Sequence, residues 1–406
     1  MTQSYNENIF TVSSDEPDPL EAIVRRGAKV MLQAALEQEV EQYLERHKHE
    51  KRKADAEFRG YRNGYAQQRS LSVGSGTIKV TVPRGSDVPR SQEPFESQII
   101  KPYQRRSQTL QRLFPQLFVE GLATRDFEPA LRCLLGAEAA LSPSTIVRLN
   151  SQFKAEYEDW TRSSLAHLPV VYVWVDGIYL KAGIGSENAC LLVVIGADVT
   201  GKKHLLALEE GYRESKESWL GVLRQLKRRG MNEPAIAVGD GALGFWSAVS
   251  ELWRLTRQQR CWLHKVRNIL DKLPQRERGE AAQHLRAIYL SKTSEEAKAK
   301  ALKLAKSWKG LFDKAAECLL ADFDQMLSFY EFPAEHHKHL RTTNPIESVF
   351  APVRLRTDAA KRMRSSRSAV HLIFQVIKGL EQKWQRLSHA ETLRSVKLPG
   401  GERLAA

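Results

Sequence analysis

Three acidic residues sit where a carboxylate needs a reason. Asp176 interrupts the apolar run VVYVWV-D-GIYL. A charge inside such a strand costs several kcal/mol unless it is paired or holds a metal ion. Asp240 ends AIAVGDG, between Gly239 and Gly241. Glycines there permit a tight exit and close approach of a ligand to the backbone. Two carboxylates at strand ends of one sheet can converge on a hard cation such as Mg²⁺, which prefers oxygen ligands. Each Asp also has a plainer use, starting a turn or capping the next helix. Two ions about 3.5–4 Å apart need a third acid, and Glu347 in RTTNPIESVF is the candidate. Asn344 as N-cap, Pro345 at N1 and Glu347 at N3 form a capping-box-like start. The two roles are compatible, because a helix start also aims a carboxylate at a neighbouring sheet.

Other residues border this set. Cys261 and His264 form Cys-x-x-His. A structural zinc site wants four ligands, no second pair lies nearby in sequence, and His336, His337 and His339 are distant. A packed thiol and a hydrogen-bonded or DNA-facing histidine are expected instead. Arg354, Arg356, Lys361, Arg362, Arg364 and Arg367 follow Glu347, and Lys265 and Arg267 follow His264. They would neutralise phosphates near a metal site or form a solvated face. Trp246 would stack on a base or, at helical spacing with Val249, belong to the core.

The elements that must carry these residues are legible. PVVYVWVDGIYLKAG, ACLLVVIGADVTG and KKHLLALEEGY read as three successive strands, with Gly201 at the hairpin between the last two. SKESWLGVLRQLKRRG reads as a helix, PAIAVGDG as a strand, ALGFWSAVSELW as a helix and RQQRCWLH as a fifth strand. That order makes a mixed α/β layer. Residues 266–340 read as long helices anchored by Leu270, Leu285, Ile288, Leu302, Leu311, Leu319 and Leu320. A final amphipathic helix carries Val370, Ile373, Phe374, Ile377, Leu380, Trp384 and Leu387.

Toward the N-terminus, residues 20–47 read as a helix, RHKHEKRK at 46–53 as a basic stretch, and Ile78, Val80 and Val82 as an alternating strand. Gly74-Ser75-Gly76 lacks the third glycine and following helix of a dinucleotide loop. Three helical pieces span 107–158, the last opening on Ser142 and Pro143. They form either a packing unit or a helix-turn-helix in which Ser144, Thr145, Arg148 and Asn150 face a major groove.

Composition sets the outer bounds. The 406 residues hold 62 Lys and Arg against 48 Asp and Glu, an excess of +14. That balance favours a polyanionic partner, nucleic acid above all. With 42% hydrophobic residues the chain is no disordered tail. No apolar run approaches the roughly 18–20 residues of a membrane span, and the polar MTQSYNENIF lacks a secretory pattern. Cys133, Cys190, Cys261 and Cys318 lie far apart, so no disulfide framework is read. A cytoplasmic, nucleoid-associated setting is expected.

Four stretches together resemble the mutator-type transposases of bacterial insertion sequences, within the acidic-triad (DDE) transposase superfamily. They are VWVDGIYLKAG, AVGDGALGFW, QRCWLHKVRNIL and TTNPIESVFAPVRLRT, joined by YRNGY at 61–65 and VPR at 82–84. The resemblance covers about residues 20–390. It implies a ribonuclease-H-like mixed-sheet catalytic domain with a helical insertion before the Glu, plus a mainly helical N-terminal DNA-binding region. The implied divisions are 1–105 (helix and short strands), 106–165 (helix-turn-helix-like), 166–265 (catalytic core), 266–340 (helical insertion) and 341–406 (C-terminal helices completing the core). It implies Asp176, Asp240 and Glu347 as a catalytic triad holding two Mg²⁺ or Mn²⁺ ions. It also implies cleavage and strand transfer at terminal inverted repeats of double-stranded DNA, by at least a dimer. Arg148, Lys265, Arg267, Arg354, Arg356, Lys361 and Arg362 are then the DNA-binding candidates. An aromatic is expected where His337 stands. The alternatives are an inactive or domesticated copy acting as a repressor, and a ribonuclease-H-like nuclease without strand transfer.

Overall fold

The structure is a computed structural model. It describes the chain outside residues 1–17, 47–60, 87–94, 123–125, 137–138, 140–142, 182–187, 212, 242, 360–364 and 400–406. The basic stretch after Arg46, and Ser142, Lys361, Arg362 and Arg364, therefore lie outside the described residues. The chain divides into two compact units, Met1–Leu149 and Asn150–Ala406.

In the first unit, helix α1 (Pro19–Arg46) is followed by β1 (Tyr61–Tyr65), β2 (Arg69–Val73), β3 (Gly76–Val80) and β4 (Pro83–Ser86). β2 and β3 form an antiparallel hairpin, and β1 pairs antiparallel with β4. The alternating strand stops at Val80. Beyond it the chain leaves β2, and the Val82 carbonyl accepts from Ala66 N–H at 2.8 Å. Leu36 of α1 packs with Leu71, Ile78, Val80 and Ile100. Helices α2 (Gln108–Glu120), α3 (Phe127–Leu135) and α4 (Pro143–Arg162) follow. Ser107 caps α2 by accepting from the Leu110 N–H. Leu110, Phe114, Phe127, Leu131, Leu135 and Leu149 make the apolar centre of the three helices. Arg148 and Asn150 are exposed on α4. The boundary between the units falls inside this helix.

The second unit is built on strands β5 (Val170–Lys181), β6 (Asn188–Asp198), β7 (Lys203–Gly211), β8 (Ile236–Gly239) and β9 (Arg257–Arg260), in the spatial order β7-β6-β5-β8-β9. β5, β6 and β7 are antiparallel, while β8 and β9 continue parallel to β5. Gly201 makes the β6–β7 turn at a φ of 74°, which a side chain would disfavour. The expected fifth strand is shorter than RQQRCWLH. It ends at Arg260, and Cys261 is already the N-cap of helix α7 (Trp262–Leu270).

Helices cover both faces of the sheet, which is why β5 and β6 are apolar almost throughout rather than alternating. On one face α5 (Lys216–Arg228) and α6 (Leu243–Leu252) bring Trp219, Leu223, Leu226, Phe245 and Val249 onto Val173, Val175, Leu192 and Val194. The residues between, Tyr172 and Trp174, face the other way. The Tyr172 hydroxyl meets His336 Nδ1 at 3.0 Å, and Trp174 Nε1 donates to the His339 carbonyl at 2.9 Å.

After α7 come α8 (Arg278–Tyr289), α9 (Ser294–Trp308), α10 (Asp313–Leu320), α11 (Phe323–Leu327) and α12 (His337–Leu340). Leu285, Ile288 and Leu319 are buried there, but Leu302, Leu311 and Leu320 are exposed. α9 instead buries Ala297, Ala301, Leu304, Ala305 and Trp308, a stripe of small residues ending on one large ring. His337 occupies the expected aromatic place. Its ring meets Phe329 and Tyr330 edge-on, and Nε2 lies 2.9 Å from the Phe332 carbonyl. α13 (Asn344–Ala359) packs on β5 and β6, and α14 (Ser366–Glu381) on β7. α14 ends before Trp384 and Leu387. Among the described residues no helix is long and apolar enough to cross a membrane.

Candidate active site

Strand register brings the first two acids together. β5 and β8 run parallel, with Trp174 beside Val238. Asp176 and Asp240 each lie two residues further along from this pair, near enough for the Asp240 charge to act on Asp176. Asp176 is inside β5, opposite Val193 of β6. Asp240 is the first residue beyond β8. By alternation with Tyr172 and Trp174, Asp176 points to the face that α13 covers.

Local contacts hold each carboxylate. The Gly177 N–H donates to Asp176 Oδ1 at 2.8 Å, and the Gly241 N–H donates to Asp240 Oδ1. Trp246 is a core residue of α6 whose Nε1 donates to the Asp240 carbonyl at 2.8 Å. Its indole is therefore committed to packing and to the strand exit. Burial pushes the Asp176 carboxyl up to about 7. The Glu214 and Asp240 charges add to that, against the Gly177 hydrogen bond and His264.

Glu347 comes from α13. The helix begins at Asn344, and the Thr343 carbonyl accepts from the Glu347 N–H at 2.9 Å. The start is thus one residue earlier than the Asn344 cap expected from NPIE. The Thr343 hydroxyl lies 2.6 Å from Glu347 Oε1 and 3.2 Å from Cys261 Sγ. Glu347 keeps its helix-start role, with a hydroxyl as its partner.

Cys261 and His264 lie between these elements. Cys261 is buried, and His264 is at the third position of α7. His264 Nδ1 is buried without a hydrogen-bond partner and lies 3.9 Å from Glu347 Oε1. The Cys261 sulfur, with the Asp240 and Asp176 charges behind it, outweighs burial and lifts the imidazole to about 9. One sulfur, one ring nitrogen and one carboxylate oxygen of Cys261, His264 and Glu347 all fall within 4.8 Å of one another.

A fourth acid was not singled out from the sequence. Glu214 stands between β7 and α5, and a Cβ on Gly177 would come within 2.6 Å of its Oε1. Burial raises its pKa, the Asp240 charge adds to this, and the Tyr179 hydroxyl opposes it by donating to Oε1 at 3.4 Å. The signal in sequence was only an acid in a short link after a strand, which is common. Thr343 carries no mark in the sequence either, since its role lies in contacts to Cys261 and Glu347.

The basic candidates divide. Arg354 and Arg267 are exposed, as is Arg148 in the first unit. Lys265 is buried, and its Nζ donates to the Ala321 carbonyl at 2.6 Å. Arg356 is buried too, and burial lowers its pKa. These two side chains point inward because α7 and α13 each turn one face to the protein. Of the DNA-binding candidates, these two are therefore buried in this structure.

The family model and the curated relatives agree on one family. The model of the family described as "Transposase, Mutator family" matches residues 2–387. The transposase for insertion sequence element IS6120 of Mycolicibacterium smegmatis is 42% identical over 69% of this chain and 86% of its own length. The transposase for element IST2 of Acidithiobacillus ferrooxidans is 41% identical over 63% of this chain and 88% of its own. That for ISRM5 of Rhizobium meliloti is 29% identical over 91% of this chain and 89% of its own. A solved structure of the HTLV-2 integrase catalytic core with magnesium aligns with 31% of this chain and 90% of that one, at 16% identity. Its TM-score of 0.18 is too low to carry a fold. The chain belongs to the Mutator family of transposases.

Proposed function

We propose that this chain cuts and joins double-stranded DNA at the terminal inverted repeats of an insertion sequence, using Asp176, Asp240 and Glu347 as the ligands of two divalent ions. The closeness of Asp176 and Asp240 carries the reading: each lies two residues beyond the paired Trp174 and Val238, and the Asp240 charge acts on Asp176. The sheet order, three antiparallel strands followed by two parallel ones, supports a ribonuclease-H-like core. The donor set fits Mg²⁺ or Mn²⁺: hard carboxylate oxygens, one of them lifted to about 7 by burial among like charges that a cation would offset. Asp176, Asp240 and Glu347 would hold such ions, which when bound would supply charge neutralisation for phosphoryl transfer.

The chain's own residues do the rest. Gly177 and Gly241 N–H groups orient the two aspartates. Thr343 orients Glu347. His264, positively charged at neutral pH, faces the same acids and would face a scissile phosphate. Exposed Arg267 and Arg354 would neutralise flanking phosphates, and α2 to α4, with Arg148 and Asn150 outward, would read the repeat. Assembly on paired ends implies at least two protomers.

The test is cleavage of a plasmid carrying the element's ends, with Mg²⁺. Asp240→Asn should lose cleavage by more than about a thousandfold while binding ends normally. Cleavage at the wild-type rate would overturn the reading. Joined product from pre-cut ends and a target plasmid separates transposase from simple nuclease.

A further inference from the structure

The acids of the site come from separate parts of the chain, and one buried contact path joins two of them. The Cys261 N–H donates to the carbonyl of Gly239, the residue before Asp240, at 2.8 Å. One residue on, the Trp262 N–H donates to the Arg341 carbonyl at 2.9 Å, fastening the chain that leads into α13. The Cys261 sulfur then accepts from the Thr343 N–H at 3.4 Å and lies 3.2 Å from its hydroxyl. That hydroxyl lies 2.6 Å from Glu347 Oε1, the length of a charge-assisted O–H···O⁻ bond. Thr343 has one hydroxyl proton. The carboxylate is the stronger acceptor and takes it, leaving the sulfur in contact with the hydroxyl oxygen at 3.2 Å and accepting from the Thr343 N–H. Cys261 is 1% exposed and Thr343 is fully buried, so water does not compete.

We propose that Cys261 and Thr343 are positioning residues, a thiol–hydroxyl relay that fixes the Glu347 carboxylate relative to Asp240. The role assigns Cys261 a function without a metal of its own, and it rests on the metal-holding role of Glu347 given above. Partners behind a metal ligand orient it and raise its affinity, commonly by roughly ten- to a hundredfold. The local geometry agrees. The Thr343 hydroxyl is nearer to Glu347 Oε1, at 2.6 Å, than His264 Nδ1 is, at 3.9 Å.

The experiment compares Thr343→Val, which keeps the shape and removes the hydroxyl, with Thr343→Ser, which keeps the hydroxyl, and with Cys261→Ala. Mn²⁺ binding to the full-length, metal-free protein is measured by calorimetry, and end cleavage is measured against Mn²⁺ concentration. Thr343→Val and Cys261→Ala should each weaken Mn²⁺ binding about tenfold, shift the cleavage midpoint by the same factor, and leave end binding unchanged. Thr343→Ser should restore both. Wild-type Mn²⁺ affinity in a folded Thr343→Val protein would overturn the proposal, and so would Thr343→Ser failing to recover it. If Thr343→Val does not fold, Cys261→Ala against Thr343→Ser decides in the same way. One zinc per purified chain, lost in Cys261→Ala, would also overturn it, because the sulfur would then be a ligand. Glu347→Gln run alongside separates the two claims. Its normal cleavage defeats the triad, whereas its inactivity beside a wild-type-like Thr343→Val defeats only the relay.

Discussion

His264 Nδ1 lies 3.9 Å from Glu347 Oε1, too far for a hydrogen bond and near enough for charge to act. The same imidazole feels Asp176 and Asp240. One ring therefore links the two carboxylates of the sheet to the carboxylate of α13. Its Nδ1 is buried and unpartnered, a cost that a phosphate oxygen or an ordered partner would relieve.

The three acids should fail alike. Asp176→Asn, Asp240→Asn and Glu347→Gln are each expected to reduce strand cleavage by more than about a thousandfold, with end affinity changed less than about threefold. Gel-shift and cleavage assays on one labelled end read both quantities.

Asp176 titrates at about 7, above the usual 3.8. It must lose its proton to hold a cation, so at limiting Mg²⁺ cleavage should fall as the pH drops below 7, and added Mg²⁺ should offset the loss. Stability runs the other way in metal-free protein. An acid raised on folding favours the native state at low pH, and that gain is lost as pH rises through the folded value. Asp176→Asn should therefore stabilise the metal-free protein by on the order of 2 kcal/mol at pH 8 and by nothing at pH 4. Urea unfolding in chelator, at both pH values, checks this.

Gly177 leaves the space that the Glu214 carboxylate fills. Gly177→Ala should cost cleavage at least about tenfold by pushing Glu214 aside, and the cost should shrink in a Glu214→Ala background. Equal losses in both backgrounds would show that the two positions act independently.

Exposed and buried cations should behave differently. Arg354→Ala is expected to weaken DNA binding and lower the salt slope by about 1. Lys265→Ala should leave the slope unchanged and lower the melting temperature, since its ammonium is bonded to Ala321 inside the protein. Salt titrations and thermal unfolding of the two variants separate these outcomes.

Much of the fold was legible because β5 and β6 are long apolar runs rich in β-branched residues, β7 carries Leu205, Leu206 and Leu208, and α5 opens on a serine cap. The Asp positions were legible for the same reason, a charge in an apolar frame. Which basic side chains face outward was not, because Lys265 and Arg267 differ only in where α7 turns its faces. Glu214 and Thr343 were hidden because their importance lies in contacts to Gly177, Glu347 and Cys261. No periodicity marks a pairing between residues 82 positions apart, as Thr343 and Cys261 are.

The most direct measurement is anomalous scattering from Mn²⁺ in crystals of this protein on its paired DNA ends. Two peaks about 3.5–4 Å apart, touching Asp176, Asp240 and Glu347, are predicted. No peak at these carboxylates, or a single ion held by Cys261 and His264, would contradict the assignment.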